Sequence, residues 1–227
     1  MKILAIETAT EACSAALLID GSVSVRYQVQ PRMHSQLILP MMDELLAEAG
    51  IILSALDGMA FGRGPGAFTG VRIAVGVVQG AAFAADLPVV PVSTLAALAP
   101  RAARESDRQR ILPAYDARMQ EVYWGAYQVA DNGLVESVIE DQVSPPDQVT
   151  LPPGDGWHGV GAGWGSYPEA LQARLPGQVQ SIDGSLLCSA YDVALLGAEG
   201  LVTGRAVAAE EATPIYLRDK VASKPGA

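Results

Sequence analysis

The feature that most constrains the fold of this chain is a pattern of strands and turns that occurs twice. Each copy begins with a buried strand that ends in an acidic residue and continues into a hairpin of two further strands. The strands of the first copy are predicted at residues 2–7, 12–19 and 22–30, and those of the second at 111–116, 122–129 and 134–140. Identities between the copies are sparse, so the repeat is one of pattern. It predicts an α/β protein built from two related lobes.

Two amphipathic helices follow the first copy of the pattern. Apolar residues spaced three and four apart predict a helix over 34–50, with Pro40 near its first turn and Gly50 closing it. The same spacing predicts a helix over 70–85, for which Thr69 offers a side-chain cap. Further elements are predicted as strands at 58–61, 87–92 and 158–161, and as helices at 167–175 and 189–204.

An arginine-rich segment over 100–110 interrupts this succession and is interpreted as the domain boundary. It separates a first lobe, residues 1–100, from a smaller second lobe, residues 101–227. We expect the tail of the second lobe to pack back on the first.

Composition narrows the function classes. Lys and Arg number 15 against 25 Asp and Glu, so the net charge of −10 disfavours unaided binding to a phosphate backbone. Two cysteines and two histidines are too few for a disulfide framework or a zinc cage, and His34 is expected in a surface or capping role. The longest apolar stretch falls short of a membrane span. A cytoplasmic protein is expected.

The segment from Gly62 to Arg72 is rich in glycine and precedes a helix. Glycines allow close approach of the backbone to a ligand, and the helix N-terminus offers free N–H groups to an anion. The Lys-Ser/Thr pair that ends a P-loop is absent from the segment. The alternative interpretation is a tight crossover from strand to helix, and the residues alone leave both open.

Acidic residues end the first strand of each copy, at Glu7 and Asp116. In open α/β sheets, ligands bind at the carboxyl ends of strands. Paired acids across a cleft are suited to a Mg–nucleotide, with the hydroxyls of Thr8 and Thr10 bonding phosphate oxygens. Alternatively, each acid caps a turn.

The helix over 70–85 carries a stripe of small residues, Gly76, Gly80 and Ala84. Such a stripe permits another helix to pack near the backbone. The preceding helix contains Met41 and Met42, which suit adaptable contacts. An intermolecular bundle and burial against the protein's own sheet are both consistent with this pattern.

Three motifs together resemble the bacterial TsaB (YeaZ) family: residues 3–10, residues 64–73 and residues 113–123, with a fitting tail at 216–219. The resemblance implies a two-lobed actin/sugar-kinase/Hsp70-like (ASKHA) fold with a reduced second lobe. It also implies a part in forming N6-threonylcarbamoyladenosine at position 37 of tRNAs that read codons beginning with A.

The resemblance further implies a non-catalytic subunit. Its expected partners are a homologous catalytic subunit, TsaD, and an ATPase subunit, TsaE, while a separate synthase, TsaC, makes the donor. The catalytic relative carries a His-x-x-x-His metal site, and Thr94 and Leu98 occupy the corresponding positions here. A hydroxyl is a poor metal ligand and an isobutyl group is none, so neither a metal site nor a catalytic residue is expected. Contact with tRNA is expected within the complex, and a homodimer in isolation.

Two sets of residues follow from the resemblance. The partner interface is expected on the two helices, at Leu37, Met41, Leu45, Val75, Gly76, Gln79, Gly80 and Phe83. A vestigial nucleotide or anion cleft, without a cofactor, is expected at Glu7, Thr8, Thr10, Gly64, Gly66 and Asp116. The rival functions are an ATP-dependent kinase or ATPase of the same fold and a metalloprotease.

Overall fold

The computed structural model describes residues 1–218, and Asp219 of the tail motif lies outside the described residues. The first lobe contains a five-stranded sheet. Its strands are β1 (Lys2–Glu7), β2 (Ala12–Ile19), β3 (Ser22–Val29), β4 (Gly58–Gly62) and β5 (Val89–Val92). They are ordered β3-β2-β1-β4-β5. The hairpin β1–β2–β3 is antiparallel, while β4 and β5 extend the sheet in parallel with β1.

The second lobe repeats this topology. Its strands are β6 (Arg110–Arg118), β7 (Glu121–Val129), β8 (Val135–Ser144), β9 (Trp157–Val160) and β10 (Val179–Asp183). Their order is β8-β7-β6-β9-β10, with the same antiparallel hairpin and the same two parallel additions. The predicted duplication and the two-lobed ASKHA-type α/β fold are therefore confirmed. The central strand of each sheet carries the predicted acid, Glu7 at the end of β1 and Asp116 two residues before the end of β6.

In the described part of the chain, six α-helices cover the sheets. They are α1 (His34–Ala49), α2 (Phe68–Ala85), α3 (Thr94–Ser106), α4 (Ala162–Ser166), α5 (Pro168–Arg174) and α6 (Ala190–Val202). Because successive side chains of a strand point to opposite faces, Leu4 and Ile6 pack under α1 and α2, whereas Ile3 and Ala5 pack under α6. On the second sheet, α3 covers one face, while α4 and α5 lie along the other. Helices α3 and α6 meet between the two sheets.

Most of the arginine-rich segment lies in α3, which runs through residue 106, while Arg110 already begins β6. Arg101 donates to the carbonyl of Leu187 at 2.7 Å, and Arg104 donates to both oxygens of the buried Asp192, at 2.6 and 3.2 Å. These contacts join α3 to the start of α6. By packing, α3 belongs to the second sheet and α6 to the first, so the chain passes to the second lobe before α3 and returns to the first before α6. The division at residue 100 stays a prediction.

Several local predictions need correction. Pro40 lies inside α1, beyond its first turn, and α2 begins at Phe68 without a side-chain cap from Thr69. Gly50 closes α1 in the left-handed conformation, as predicted. Helices α3 and α4 were not predicted, because they contain proline or glycine and therefore resemble loops. Strand β10 was not predicted, because it is short and has only two apolar residues, Val179 and Ile182.

Candidate functional site

Helix α2 buries one face and exposes the other. Val71, Ala74 and Val78 pack into the core of the first lobe. The opposite face exposes Gly76 and Gly80, together with Phe83, whose surface is 75% exposed, and Ala84. No charged residue follows Arg72 in this helix. We refer to residues 76, 80, 83 and 84 as the α2 face.

The two glycines of the α2 face have no role in the packing of residues 1–218. A Cβ atom added at Gly76 or at Gly80 meets nothing within 4 Å. A glycine inside a helix costs about 1 kcal/mol relative to alanine. The alternative that the small-residue stripe packs against the protein's own sheet is therefore wrong, because the sheet lies on the other side of α2.

Three predicted interface residues prove to be core residues, which corrects the set. Met41, Leu45 and Val75 are 3%, 1% and 8% exposed and pack against the first sheet. Leu37 is half-buried against the same core. The spacing that marks an amphipathic helix identifies its apolar side, and on α1 that side faces the sheet.

Gln79 is the remaining predicted interface residue. It is half-buried, and its Nε2 donates to the carbonyl of Ala212 at 2.8 Å. Its amide therefore serves an internal contact with the C-terminal segment.

Helix α2 is also long and apolar enough to cross a membrane by length and composition, with 18 residues and a mean hydropathy of 1.4. A third of it is buried within the protein. The core helix of a globular protein passes the same test, so this property is weak evidence for a span.

A cavity of about 540 Å³ lies between the lobes, a size suited to a small molecule. From the first lobe it is lined by the turn after β1 and the start of α2, and from the second by the β6–β7 hairpin. Its walls include Thr10, Gly66, Phe68, Tyr115, Asp116, Arg118, Tyr216, Leu217 and Arg218. Of the six predicted cleft residues, Thr10, Gly66 and Asp116 line it.

Glu7 and Thr8 are fully buried and do not line the cavity, which corrects their predicted role. The Glu7 Oε1 accepts from the backbone N–H of Ala9 at 2.5 Å, and burial raises the pKa of this carboxyl to about 7. Gly62 leaves room for it, because a Cβ there would overlap the carboxylate. The hydroxyl of Thr8 donates to the carbonyl of Gly70 at 2.7 Å. Glu7 is therefore not placed to hold Mg²⁺ of a nucleotide, and the Thr8 hydroxyl is not free to bond its phosphate.

The glycines of the loop serve close packing. A Cβ at Gly66 would lie 2.5 Å from the carbonyl oxygen of Ala9, and one at Gly70 would overlap the carbonyl of Thr8. The N–H of Ala67 donates to Ala9 at 2.8 Å. Gly64, with φ +96°, lies outside the cavity lining and accepts from the N–H of Thr94. The loop is therefore built as a tight crossover against the turn that follows β1.

Asp116 lines the cavity, and both oxygens of its carboxylate already accept hydrogen bonds from neighbouring residues. Its Oδ1 accepts from the backbone N–H of Arg118 at 2.8 Å and from the hydroxyl of Tyr167 at 3.3 Å. Its Oδ2 accepts from the Arg118 guanidinium at 2.9 Å. Glu7 and Asp116 each bond to the N–H two residues further along, so the turn-capping alternative describes both acids.

Both histidines make structural hydrogen bonds. His34 is buried and not at the surface, and its Nε2 lies 2.9 Å from the carbonyl of Thr10 and 3.2 Å from that of Ala12. The Nδ1 of His158 lies 2.8 Å from the hydroxyl of Ser181, and burial lowers the pKa of this imidazole. Within residues 1–218, no group of three or more His, Cys, Asp or Glu side chains is placed to hold a metal ion.

An exposed cluster at the mouth of the cavity was not predicted. The Arg72 guanidinium stacks 3.2 Å above the ring of Phe68 and lies 5.1 Å from the ring of Tyr216. Both rings are at least half exposed. Phe68 and Tyr216 are far apart in the chain, so no local spacing signals their contact.

Comparison with known proteins gives consistent results over the whole chain. A family model described as TsaD, tRNA N6-adenosine threonylcarbamoyltransferase, matches residues 27–162. A tRNA threonylcarbamoyladenosine biosynthesis protein TsaB from Escherichia coli K12 is 43% identical, over 99% of this chain and 97% of that protein. The TsaB protein of Haemophilus influenzae is 39% identical, over 99% and 96% of the two chains.

Two solved structures from Pseudomonas aeruginosa have the same arrangement. YeaZ is 50% identical with a TM-score of 0.88, covering 95% of this chain and 99% of that one. A protein described as similar to peptidase YeaZ is 49% identical with the same TM-score, covering 96% and 99%. At this coverage the similarity includes both lobes.

Proposed function

The chain belongs to the TsaB family of tRNA threonylcarbamoyladenosine biosynthesis proteins, and from this membership we propose that it acts as a non-catalytic dimerisation and activating subunit. The modification is N6-threonylcarbamoyladenosine, formed at position 37 of tRNAs that read codons beginning with A. The subunit works in the cytoplasm and meets tRNA within the assembled complex.

The α2 face is the observation that carries this proposal. Two helix glycines with open space above them and a largely exposed phenylalanine form an uncharged surface, which no contact among residues 1–218 explains. A facing helix that packs near the backbone accounts for both the small residues and the apolar one. The proposed partner is the homologous catalytic subunit, TsaD, with TsaE joining through the complex. Without TsaD, a second copy of the chain occupies the same face.

The inter-lobe cleft supports a subunit without its own cofactor. Glu7 and Thr8 are buried in the core, and the carboxylate of Asp116 accepts hydrogen bonds from Arg118 and Tyr167. Thr94 and Leu98, at the positions of the relative's metal-binding histidines, are fully buried. These positions contribute to packing, as expected for a degenerate site.

An ATP-dependent kinase or ATPase is the second candidate, favoured by the size of the cavity between the lobes. The engaged acids count against it. The peptidase named for one structural relative has less support, because both histidines are committed to structural hydrogen bonds. Turnover of ATP with Mg²⁺ by the isolated chain identifies the kinase or ATPase.

Reconstitution tests the proposal. TsaD, TsaE, tRNA and the threonylcarbamoyl-adenylate donor are combined with and without this chain, and modified adenosine is measured. We expect modification only when the chain is present, and none when the chain replaces TsaD. Transfer of the threonylcarbamoyl group by the chain alone contradicts the proposal, as does full activity without the chain.

A further inference from the structure

The C-terminal segment, residues 212–218, runs from the first lobe to the second, and we call it the strap. At its start, the buried Ala212 accepts from the side chain of Gln79 on α2 at 2.8 Å. Just before it, Val207 forms a two-way backbone bridge with Val89 of β5, at 2.9 and 2.8 Å. The start of the strap is therefore fixed to the first lobe and to α2.

The middle of the strap contacts the first turn of α2. The N–H of Ile215 donates to the carbonyl of Arg63 at 2.9 Å, in the loop that leads into α2. The ring of Tyr216 lies 6.1 Å from that of Phe68, with the Arg72 guanidinium between strap and helix. Side chains of α2 therefore contact the strap at two places, at its start through Phe68 and Arg72 and further along the helix through Gln79.

The end of the strap holds the β6–β7 hairpin. The Arg218 guanidinium donates to the carboxylate of Glu121 from Nε at 3.0 Å and also from Nη2. Nη2 donates in addition to the carbonyls of Ala117, at 3.0 Å, and Arg118, at 3.3 Å. Arg218 is 18% exposed, so the contact is shielded from solvent.

This hairpin tip has an unfavourable backbone. Arg118, Met119 and Gln120 all adopt the left-handed region, with φ of 62°, 56° and 62°. Non-glycine residues rarely occupy it, because a side chain there crowds the neighbouring carbonyl. A conformation of this kind persists when surrounding contacts hold it, and Arg218 bonds to three residues of this hairpin, Ala117, Arg118 and Glu121.

We infer that the strap couples the α2 face to the β6–β7 hairpin, so that a partner on α2 stabilises the hairpin tip and the cleft wall formed by Tyr216, Leu217 and Arg218. The effect of a partner rests on the proposed function, whereas the coupling within the chain does not. Because coupling between two sites is reciprocal, loosening the hairpin also weakens binding of the partner on α2.

The first experiment needs no partner. Hydrogen exchange of backbone amides 118–121 is measured in the full chain and in Gln79→Ala, Arg218→Ala and the matched surface variant Arg205→Ala, whose side chain pairs with Glu199 outside the strap. We expect about tenfold faster exchange in Arg218→Ala, a smaller acceleration in Gln79→Ala, and none in Arg205→Ala. Unchanged exchange at the hairpin in Gln79→Ala overturns the coupling.

The second experiment adds TsaD. We expect TsaD to slow exchange at 118–121 in the unaltered chain and in Arg205→Ala, but not in Arg218→Ala, which also binds TsaD several-fold more weakly. If TsaD slows exchange at 118–121 equally in Arg218→Ala, TsaD contacts the hairpin directly, and the inference is overturned. The two parts of the inference can fail separately. If Gly80→Leu binds TsaD normally while Gln79→Ala speeds exchange at the hairpin, the proposed TsaD site on the α2 face is wrong, whereas the coupling within the chain is supported.

Discussion

Glu7 and Asp116 occupy equivalent places in the two lobes, and each side chain accepts the backbone N–H of the residue two positions further along. The partners are Ala9, at 2.5 Å, and Arg118, at 2.8 Å. The two acids nevertheless differ in environment, because Glu7 is fully buried whereas Asp116 lines the inter-lobe cavity. The duplicated topology thus preserves one turn and places it in two different surroundings.

Stability should depend on pH through Glu7. The pKa of its carboxyl is about 7 in the folded protein and 4.5 ordinarily, so between these values the folded state holds a proton that the unfolded state has lost. The free energy of unfolding is therefore highest below pH 4.5. It falls as the pH rises through 7, by up to about 1.4 kcal/mol per pH unit.

Urea denaturation from pH 5 to 8 measures this effect. We expect the difference in unfolding free energy between the unaltered chain and Glu7→Gln to shift in favour of the variant as the pH rises. A difference that stays constant across this range indicates that Glu7 keeps an ordinary pKa.

Two glycine-to-alanine substitutions, one within α2 and one in the loop that precedes it, should change stability in opposite directions. Gly80→Ala is expected to raise the free energy of unfolding by about 1 kcal/mol, because the new methyl group meets open space on a helix. Gly66→Ala is expected to lower it by about 1–3 kcal/mol, because a Cβ there crowds the carbonyl of Ala9. Urea denaturation curves compare them. Stabilisation of both variants would contradict the tight-crossover interpretation of the loop.

A larger side chain on the α2 face should block the partner. Gly80→Leu is expected to weaken TsaD binding at least tenfold, or about 1.4 kcal/mol, while the isolated lobe stays folded. The control is Val202→Leu, since Val202 is 72% exposed at the end of α6, on the opposite face of the first sheet. Calorimetric titration with TsaD gives both affinities. Equal binding by the two variants removes α2 from the interface.

Removing the arginine that pairs with a buried aspartate should lower the free energy of unfolding. Arg104→Ala leaves the fully buried Asp192 without its bidentate partner, and we expect a loss of about 2–4 kcal/mol in unfolding free energy. Arg108→Ala, which removes a contact with the exposed Gln180, is the matched control and is expected to change stability by less than about 0.5 kcal/mol. Equal effects in thermal melts would show that the pair between α3 and α6 adds nothing.

The cleft should bind ATP poorly. Because the acids of both lobes are engaged or buried, equilibrium dialysis of the isolated chain with ATP and Mg²⁺ is expected to give a Kd weaker than about 1 mM. Tight binding that depends on Mg²⁺ supports the kinase or ATPase candidate instead.

Local patterns predicted most of the secondary structure. The strand β2 begins and ends at the predicted residues, 12 and 19, and α1 stops at the glycine that marks its end. Helix α3 was missed because its one proline, Pro100, and its arginines resemble a domain boundary, whereas its stability comes from non-local contacts such as Arg104–Asp192. For the strap, the sequence predicted only that the tail packs back on the first lobe. Its individual contacts were not predicted, since Gln79 and Ala212 are brought together by the fold and not by any spacing in the chain.

By itself, the sequence determined the duplicated strand pattern, the two helices of the first lobe and the family motifs, because periodicity, turn residues and motif residues are local properties. The tertiary structure decided which side of each element is accessible. It placed Met41, Leu45 and Val75 in the core, left Gly76 and Gly80 open, and buried Glu7 behind the cleft. The physical reason is that solvent exposure depends on what packs against a residue, and its packing partners come from distant parts of the chain.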